Sequence, residues 1–304
     1  MRRSGGLICC LLAAFFWGTT FVAQDTAAKT IPAFTFLALR SFVGAAALLA
    51  VFLTKDAIAK KKGSYHPPTK ASSKLTWLGG ALCGLFLCSA SALQQLGIAS
   101  NTGSPGKDAF ITALYIVFVP LFGLFLGKRT APHIYGCVAV ALGGLWLLCM
   151  NGSSLTTGDI QLIICSVLFA CQMILVDHLG NRVDAVCLSA VQFLVVGVVS
   201  TVFAVILEQP TLSGVMSGWW TVLYAGILSS AVAYTLQIVG QQRTPATLAS
   251  LVLSLESVVA VIASMIALRL YPTLPDVLGM VLIFAAIIVS QIPIKYGKKP
   301  QSAA

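Results

Sequence analysis

Charge is what this sequence has least of. Its 304 residues include 19 Lys and Arg and nine Asp and Glu, 9% in all, against roughly a quarter in a soluble domain. The hydrophobic share is 58%, more apolar surface than a water-soluble fold of this length can hide. A soluble enzyme is thereby excluded, and an integral membrane protein is the expectation. Histidine is nearly missing too. His66, His133 and His178 fall in loops, at a span edge and at a span end. No His-Glu-x-x-His, Gly-x-Ser-x-Gly or paired catalytic carboxylates occur, so no catalytic residue is expected. No Gly-x-x-x-x-Gly-Lys-Ser/Thr phosphate loop occurs either, which excludes ATP drive by this chain alone. The nine cysteines lie in or beside apolar runs, without metal-site spacing and without a water-exposed disulfide framework. They read as small apolar fillers, and neither metal nor cofactor is expected.

What is present is ten apolar runs, each near the 20 residues that a bilayer core of ~30 Å demands of a helix. They are Gly5–Val22, Ile31–Leu53, Leu75–Gly97, Asp108–Leu126, His133–Met150, Asp159–Val176, Ala185–Leu207, Trp219–Val239, Ala246–Leu268 and Asp276–Ile292. The longest gap, Thr54–Lys74, is Lys-rich, contains Pro67-Pro68 and reads as a loop. The net charge of +10 does not point to nucleic acid, because the basic residues sit in short gaps between spans. With the N-terminus placed in the cytoplasm, the inside segments hold 15 Lys and Arg and the outside segments hold Lys29, Lys107 and Arg269. That ratio predicts both termini inside. Short loops and few disulfide candidates suit a bacterial inner membrane.

The two halves resemble each other. An offset of 152 superposes Asp25 on Asp177, Thr20 on Gln172 and Arg40 on Gln192. An offset of 143 superposes Trp77 on Trp220 and Leu93-Gln94-x-x-Gly97 on Leu236-Gln237-x-x-Gly240. Ser104-Pro105 and Thr244-Pro245 precede the fourth and ninth spans. Residues 1–150 and 151–304 therefore read as two repeats of five spans. Five is odd, so the second repeat enters the membrane from the opposite side, a common plan of secondary transporters. The predicted fold is all-α, with ten transmembrane helices in two inverted five-helix repeats.

Four segments carry a family resemblance: Ala14-Phe15-Phe16-Trp17-Gly18, Phe36-Leu37-Ala38-Leu39-Arg40, the run Ala109 to Leu121, and the run Ala249 to Glu256. In these the chain resembles the drug/metabolite transporter superfamily, EamA type, over nearly its whole length. The resemblance implies a central substrate path lined by spans one to four and six to nine, with spans five and ten peripheral. One departure stands out. The family often has Glu-Pro in the ninth span, whereas Glu256 is followed here by Ser257.

Candidate site residues come from polarity inside the spans. Arg40 and Glu256 fall near the bilayer midplane by residue count, where a charge costs about 2.5–3.5 kcal/mol and should not face lipid. Arg40 could attract an anionic substrate group, and Glu256 could bind a coupling proton or cation. A structural role between packed helices is the alternative for both. Trp17, Thr20 and Gln24 share one helix face, with Phe169, Gln172 and Val176 equivalent in span six. Ser230, Tyr234 and Gln237 stripe span eight, matched by Ser91 and Gln94 in span three, while Thr112 and Tyr115 share a face of span four. The candidate substrate-binding set is thus Trp17, Thr20, Gln24, Arg40, Gln94, Tyr115, Gln172, Gln192, Tyr234 and Gln237, with Glu256 as coupling candidate. Ser250, Ser254 and Ser257 read as a close helix contact, and Gly143-Gly144 as packing or self-association into a homodimer. The expected function is a secondary transporter or exporter of small metabolites, amino acids or drug-like solutes, by alternating access. An intramembrane enzyme and a passive pore are the alternatives.

Overall fold

The computed structural model describes residues 3–63, 70–101, 105–127, 131–149, 156–290 and 292. Among them the regular structure is helical throughout. The helices are α1 (Arg3–Ala28), α2 (Ala33–Lys61), α3 (Lys70–Ser100), α4 (Pro105–Thr112), α5 (Tyr115–Phe125), α6 (Pro132–Cys149), α7 (Thr157–Leu179), α8 (Ala185–Leu207), α9 (Leu212–Ser217) and α10 (Trp219–Tyr224). A π-helical run, Ala225–Ala233, leads into α11 (Tyr234–Gln241), and α12 (Ala246–Leu253), α13 (Leu255–Leu268) and α14 (Leu274–Ser290) follow. Eight helical stretches are long and apolar enough to cross a bilayer, so the chain is a multi-pass membrane protein. The fifth and tenth expected spans appear as α6 and α14, of 18 and 17 residues. At 1.5 Å per residue the latter rises only about 26 Å, just short of the bilayer core.

One expectation needs adjusting. The gap Thr54–Lys74 is largely helix, since α2 continues to Lys61 and α3 begins at Lys70. Lys60 and Lys61 in the last turn of α2 suit the negative end of its dipole. The proline pair Pro67-Pro68, the junction of the two repeats at residues 150–155 and the C-terminal tail lie outside the described residues.

The packing repeats the symmetry of the sequence. α2 lies on α8, α3 on α7, and α1 on the span formed by α10, the π-helical run and α11. α4 and α5 meet α13 and α12, and α6 meets α14. Exchanging the halves maps this set of pairs onto itself. α2 and α8 are antiparallel and are joined at both ends: Glu208 of α8 caps α2, and Lys55 of α2 pairs with Asp184, the N-cap of α8. Glu208 closes α8 and accepts from Phe34 N–H (2.7 Å), Thr35 N–H (2.8 Å) and Thr35 Oγ1 (2.7 Å) at the start of α2. At the other end Asp184 Oδ1 accepts from Val186 and Cys187 N–H, both at 3.0 Å, and Asp184 Oδ2 takes Lys55 Nζ of α2 at 2.7 Å. Burial opposes ionisation of Asp184, but Lys55 and these N–H groups hold its carboxyl below the usual range. These contacts satisfy helix N-termini that have no partner of their own.

Glycine contacts close the bundle at both ends. A Cβ on Gly97 would lie 2.7 Å from Leu162 Cγ and 2.9 Å from the Gly158 carbonyl; one on Gly240 would lie 2.5 Å from Cys10 Sγ and 3.0 Å from the Gly6 carbonyl. The two pairs are repeat equivalents: offset 143 relates Gly97 to Gly240, and offset 152 relates Gly6 to Gly158. Each joins one half to the other, α3 to α7 and α11 to α1. Gly143 has nothing within 4 Å of such a Cβ. Both Gly97→Ala and Gly143→Ala gain about 1 kcal/mol of helix propensity. Gly97→Ala should nevertheless melt lower than Gly143→Ala, by about 1–3 kcal/mol of clash. Melting curves of the two variants in detergent check this, and coincident curves would refute a tight α3–α7 contact.

Candidate functional site

Two membrane spans are broken at matching places. The fourth changes from α4 to α5 at Ala113–Leu114, and the ninth from α12 to α13 at Ser254. Around each break the backbone bonds tighten to three-residue spacing: Leu114 N–H to Ile111 O, Ile116 N–H to Ala113 O, and Ser257 N–H to Ser254 O. In the ninth span the hydroxyls of Ser250, Ser254 and Ser257 bond to the carbonyls of Thr247, Leu251 and Ser254 at 2.6–2.9 Å. Such back-bonding competes with the helical ladder and bends it. The helix is thus interrupted without the proline that the family often carries after the glutamate. Discontinuous helices of this kind form transporter sites near the midplane. Tyr115 and Glu256 stand at or just after the breaks, and Tyr115 Oη donates to Glu256 Oε1 at 2.9 Å.

Between the halves lies a narrow interior cavity of about 20 Å³, room for a single water. Ten of the eleven candidate residues line it: Trp17, Thr20, Gln24, Arg40, Gln94, Tyr115, Gln172, Tyr234, Gln237 and Glu256. Gln192 does not, but its Oε1 accepts from Gln172 Nε2 at 2.9 Å just behind the wall. Arg40 and Glu256 are 4% and 3% exposed, so neither charge meets lipid. They do not pair with each other: among the described residues no carboxylate reaches Arg40 within 4.0 Å. The Arg40 guanidinium carbon lies 5.5 Å from the centroid of the Phe36 ring, and its Nε has no hydrogen-bond partner.

Most of the amides are engaged with one another. In the first half Gln24 Nε2 donates to Gln94 Oε1 (3.2 Å) and Gln95 Oε1 (3.1 Å), while Gln95 Nε2 donates back to the Gln24 carbonyl (3.3 Å). In the second half Gln237 Nε2 donates to Gln172 Oε1 (3.1 Å) and Gln241 Oε1 (3.0 Å), while Gln241 Nε2 donates to the Met173 carbonyl (3.0 Å). These are equivalent clasps, tying α1 to α3 and α7 to α11. The Thr20 hydroxyl donates to its own helix, at Phe16 O. What remains free around the cavity is a smaller set. Trp17 Nε1, Arg40 Nε, Thr112 Oγ1 and Gln237 Oε1 are buried polar atoms without a partner. Each such atom costs about 1–3 kcal/mol if left unmatched.

The apolar part of the wall is partly new. Phe21, Met173 and Ser229 line the cavity along with Phe169 and Thr112. Phe21 follows Trp17 by four residues, so the helical face extended by one position would have found it. Trp17 and Phe193 both pack edge-on against Tyr234, at 4.7 and 5.1 Å between centroids. Ser230 does not line the cavity; it is buried against α2, where a Cβ on Gly44 would lie 2.7 Å from the Ser230 Cβ. The cause is the π-helical run. In an α-helix Ser229 would stand about 140° from Tyr234, but i→i+5 turns bring a residue five positions away back towards the same face.

This architecture matches a known family. The profile of the EamA-like transporter family fits residues 4–150 and again residues 156–291, so the chain belongs to that family. A protein of Bacillus subtilis (strain 168) named "Uncharacterized transporter YwfM" is 26% identical over 252 residues, 79% of this chain and 77% of the relative. An "Uncharacterized transporter" of Archaeoglobus fulgidus is 22% identical over 283 residues, 91% of this chain and 83% of the relative. A solved structure described as "Crystal structure of protein" superposes with a TM-score of 0.74 at 20% identity, covering 96% of this chain and 97% of its own.

Proposed function

We propose that the protein is a gradient-driven secondary transporter of small zwitterionic metabolites, amino acids with an apolar side chain foremost, working by alternating access. The observation that carries this is one cavity lined by a buried arginine and a buried glutamic carboxyl group that do not pair with each other. Arg40 with the Trp17 indole N–H offers donors suited to a carboxylate. Glu256 with Gln237 Oε1 offers acceptors suited to an ammonium group. Trp17, Phe21, Phe169 and Met173 supply an apolar wall for the side chain, and the halves must part to admit a solute into a cavity of about 20 Å³. A substrate ammonium and a proton would compete for Glu256, which couples transport to a proton gradient in opposite directions. In this reading α6 and α14 complete ten spans, the two five-span halves are inverted, both termini lie in the cytoplasm of a bacterial inner membrane, and no catalysis occurs. The repeat-related pairing of helices supports exchange between two packings more than it supports a fixed pore.

A thermal-shift screen of the detergent-purified protein tests the reading, with amino acids, nucleosides, sugar phosphates and cationic drugs as probes. A ligand at 100 times its Kd stabilises by about 2.7 kcal/mol. Apolar amino acids should raise the melting temperature, whereas their amides and N-acetyl derivatives, each lacking one charge, should not. Stabilisation by sugar phosphates or nucleosides in place of amino acids would overturn the substrate class.

A further inference from the structure

A second polar cluster lies away from the Arg40–Glu256 pair, at the end of the bundle closed by Gly97 and Gly158. Asn101, just past α3, is its hub. Its Nδ2 donates to Asp108 Oδ1 and to Asp159 Oδ1, both at 3.0 Å, and its Oδ1 accepts from Thr156 Oγ1 at 2.8 Å. Two cations are present, and each has its own carboxylate: Lys107 Nζ is 2.8 Å from Asp159 Oδ2, and Lys29 Nζ is 3.1 Å from Asp25 Oδ2. Asp108 is the third carboxylate. It is 0% exposed, and among the described residues no cation lies within ion-pair reach of it and its buried Oδ2 has no hydrogen-bond partner.

We infer that Asp108 is a proton-binding site, and that its proton holds this end of the cavity closed. The groups that face it are Asp25 and Lys29 from α1, Asn101 beyond α3, Lys107 beside it on α4, and Thr156 and Asp159 from the start of α7. α13 packs on α4 with Val261 against Gly106; its titratable residues are Glu256 at its start and the exposed Arg269 past its end. α6 carries His133 and Tyr135 in its first turn. Ionised, Asp108 would be a buried negative charge beside two others, which a low-dielectric site strongly disfavours. Opening this end must separate α7 from α3 and α4, because Asn101 bridges them. It parts Asn101 from Asp159 and admits water to Asp108. The closed carboxylic acid then gives its proton to water and becomes a carboxylate, so each opening releases one proton. The inference takes from the proposed function only that the halves can separate; it needs no substrate.

Hydrogen exchange of the full-length protein in lipid nanodiscs, without substrate, tests it. Peptides over residues 105–112 and 157–162 would be followed from pH 5.5 to 8.5 and corrected for intrinsic exchange. One proton released per opening makes the opening equilibrium rise up to about tenfold per pH unit. The wild type should show that slope at these peptides and not in the middle of α8. Asp108→Asn should abolish the slope and stay protected at all pH values, with an unchanged melting temperature as evidence of folding. Asp159→Asn should open more readily but keep the slope. A wild type without the slope, or Asp108→Asn with it, would overturn the inference. Absence of flux in reconstituted vesicles would instead count against the transport reading and leave the exchange result standing.

Discussion

Glu256→Gln should abolish proton-driven accumulation of substrate in reconstituted vesicles, while substrate-for-substrate exchange persists at raised substrate concentration. The carboxylate accepts a hydrogen bond from Tyr115 and faces a cavity that also holds Arg40. Glutamine preserves the oxygen that Tyr115 donates to and the side-chain length, but it carries no titrating proton. With one proton exchanged per substrate and the membrane potential clamped to zero, one pH unit, worth 1.36 kcal/mol, sustains at most about a tenfold substrate gradient. The wild type should approach that ratio, and the variant should stay at one. Counterflow of labelled substrate separates loss of coupling from loss of binding. A variant that still accumulates substrate on a pH gradient would remove Glu256 from coupling.

Arg40→Gln should act oppositely on the protein and on its ligand. No described residue forms an ion pair with Arg40, and its Nε has no partner. A buried charge in that position costs stability. The apo variant should therefore melt at or above the wild-type temperature, a local loss of stability exchanged for function. Carboxylate ligands should lose about 2–5 kcal/mol of binding, roughly 30-fold to several thousand-fold in Kd. Titration calorimetry of the wild type and the variant with the best ligand from the screen reads this directly. Ligands without a carboxylate should bind the two proteins alike. A large fall in the apo melting temperature would show that Arg40 is a structural partner instead.

Much of the site was legible because charge inside an apolar run is conspicuous. Arg40 and Glu256 stand out by position alone, and counting at helical spacing collected Trp17, Thr20 and Gln24 onto one face. The repeat was legible in the same way, from residues that recur at fixed offsets. Backbone departures from the α-helix were not. The breaks at Ala113–Leu114 and Ser254 depend on three-residue hydrogen bonds and serine back-bonding, which leave no mark on hydropathy. The π-helical run moved the cavity position from Ser230 to Ser229 for a similar reason. Gln192 illustrates a third limit. Its repeat partner is Arg40, but the side chain is committed to Gln172 behind the wall, and sequence symmetry cannot tell a lining residue from a supporting one. The lysine-rich continuations of α2 and α3 were hidden because hydropathy marks only apolar stretches, and a helix need not stop where the bilayer does.

The two joints between α2 and α8 make their seam responsive at one end above all. The Lys55–Asp184 pair is half exposed, at 58% and 42%, where dissolved ions reach it and its attraction fades within a few ångströms at molar salt. Glu208 grips peptide N–H groups and a hydroxyl rather than another ion, so a salt-rich medium has far less to screen there. One end of the seam thus carries a joint that senses ionic strength, and the other carries one that senses it far less. Sidedness is built into an otherwise two-fold framework by the choice of bonding partner alone.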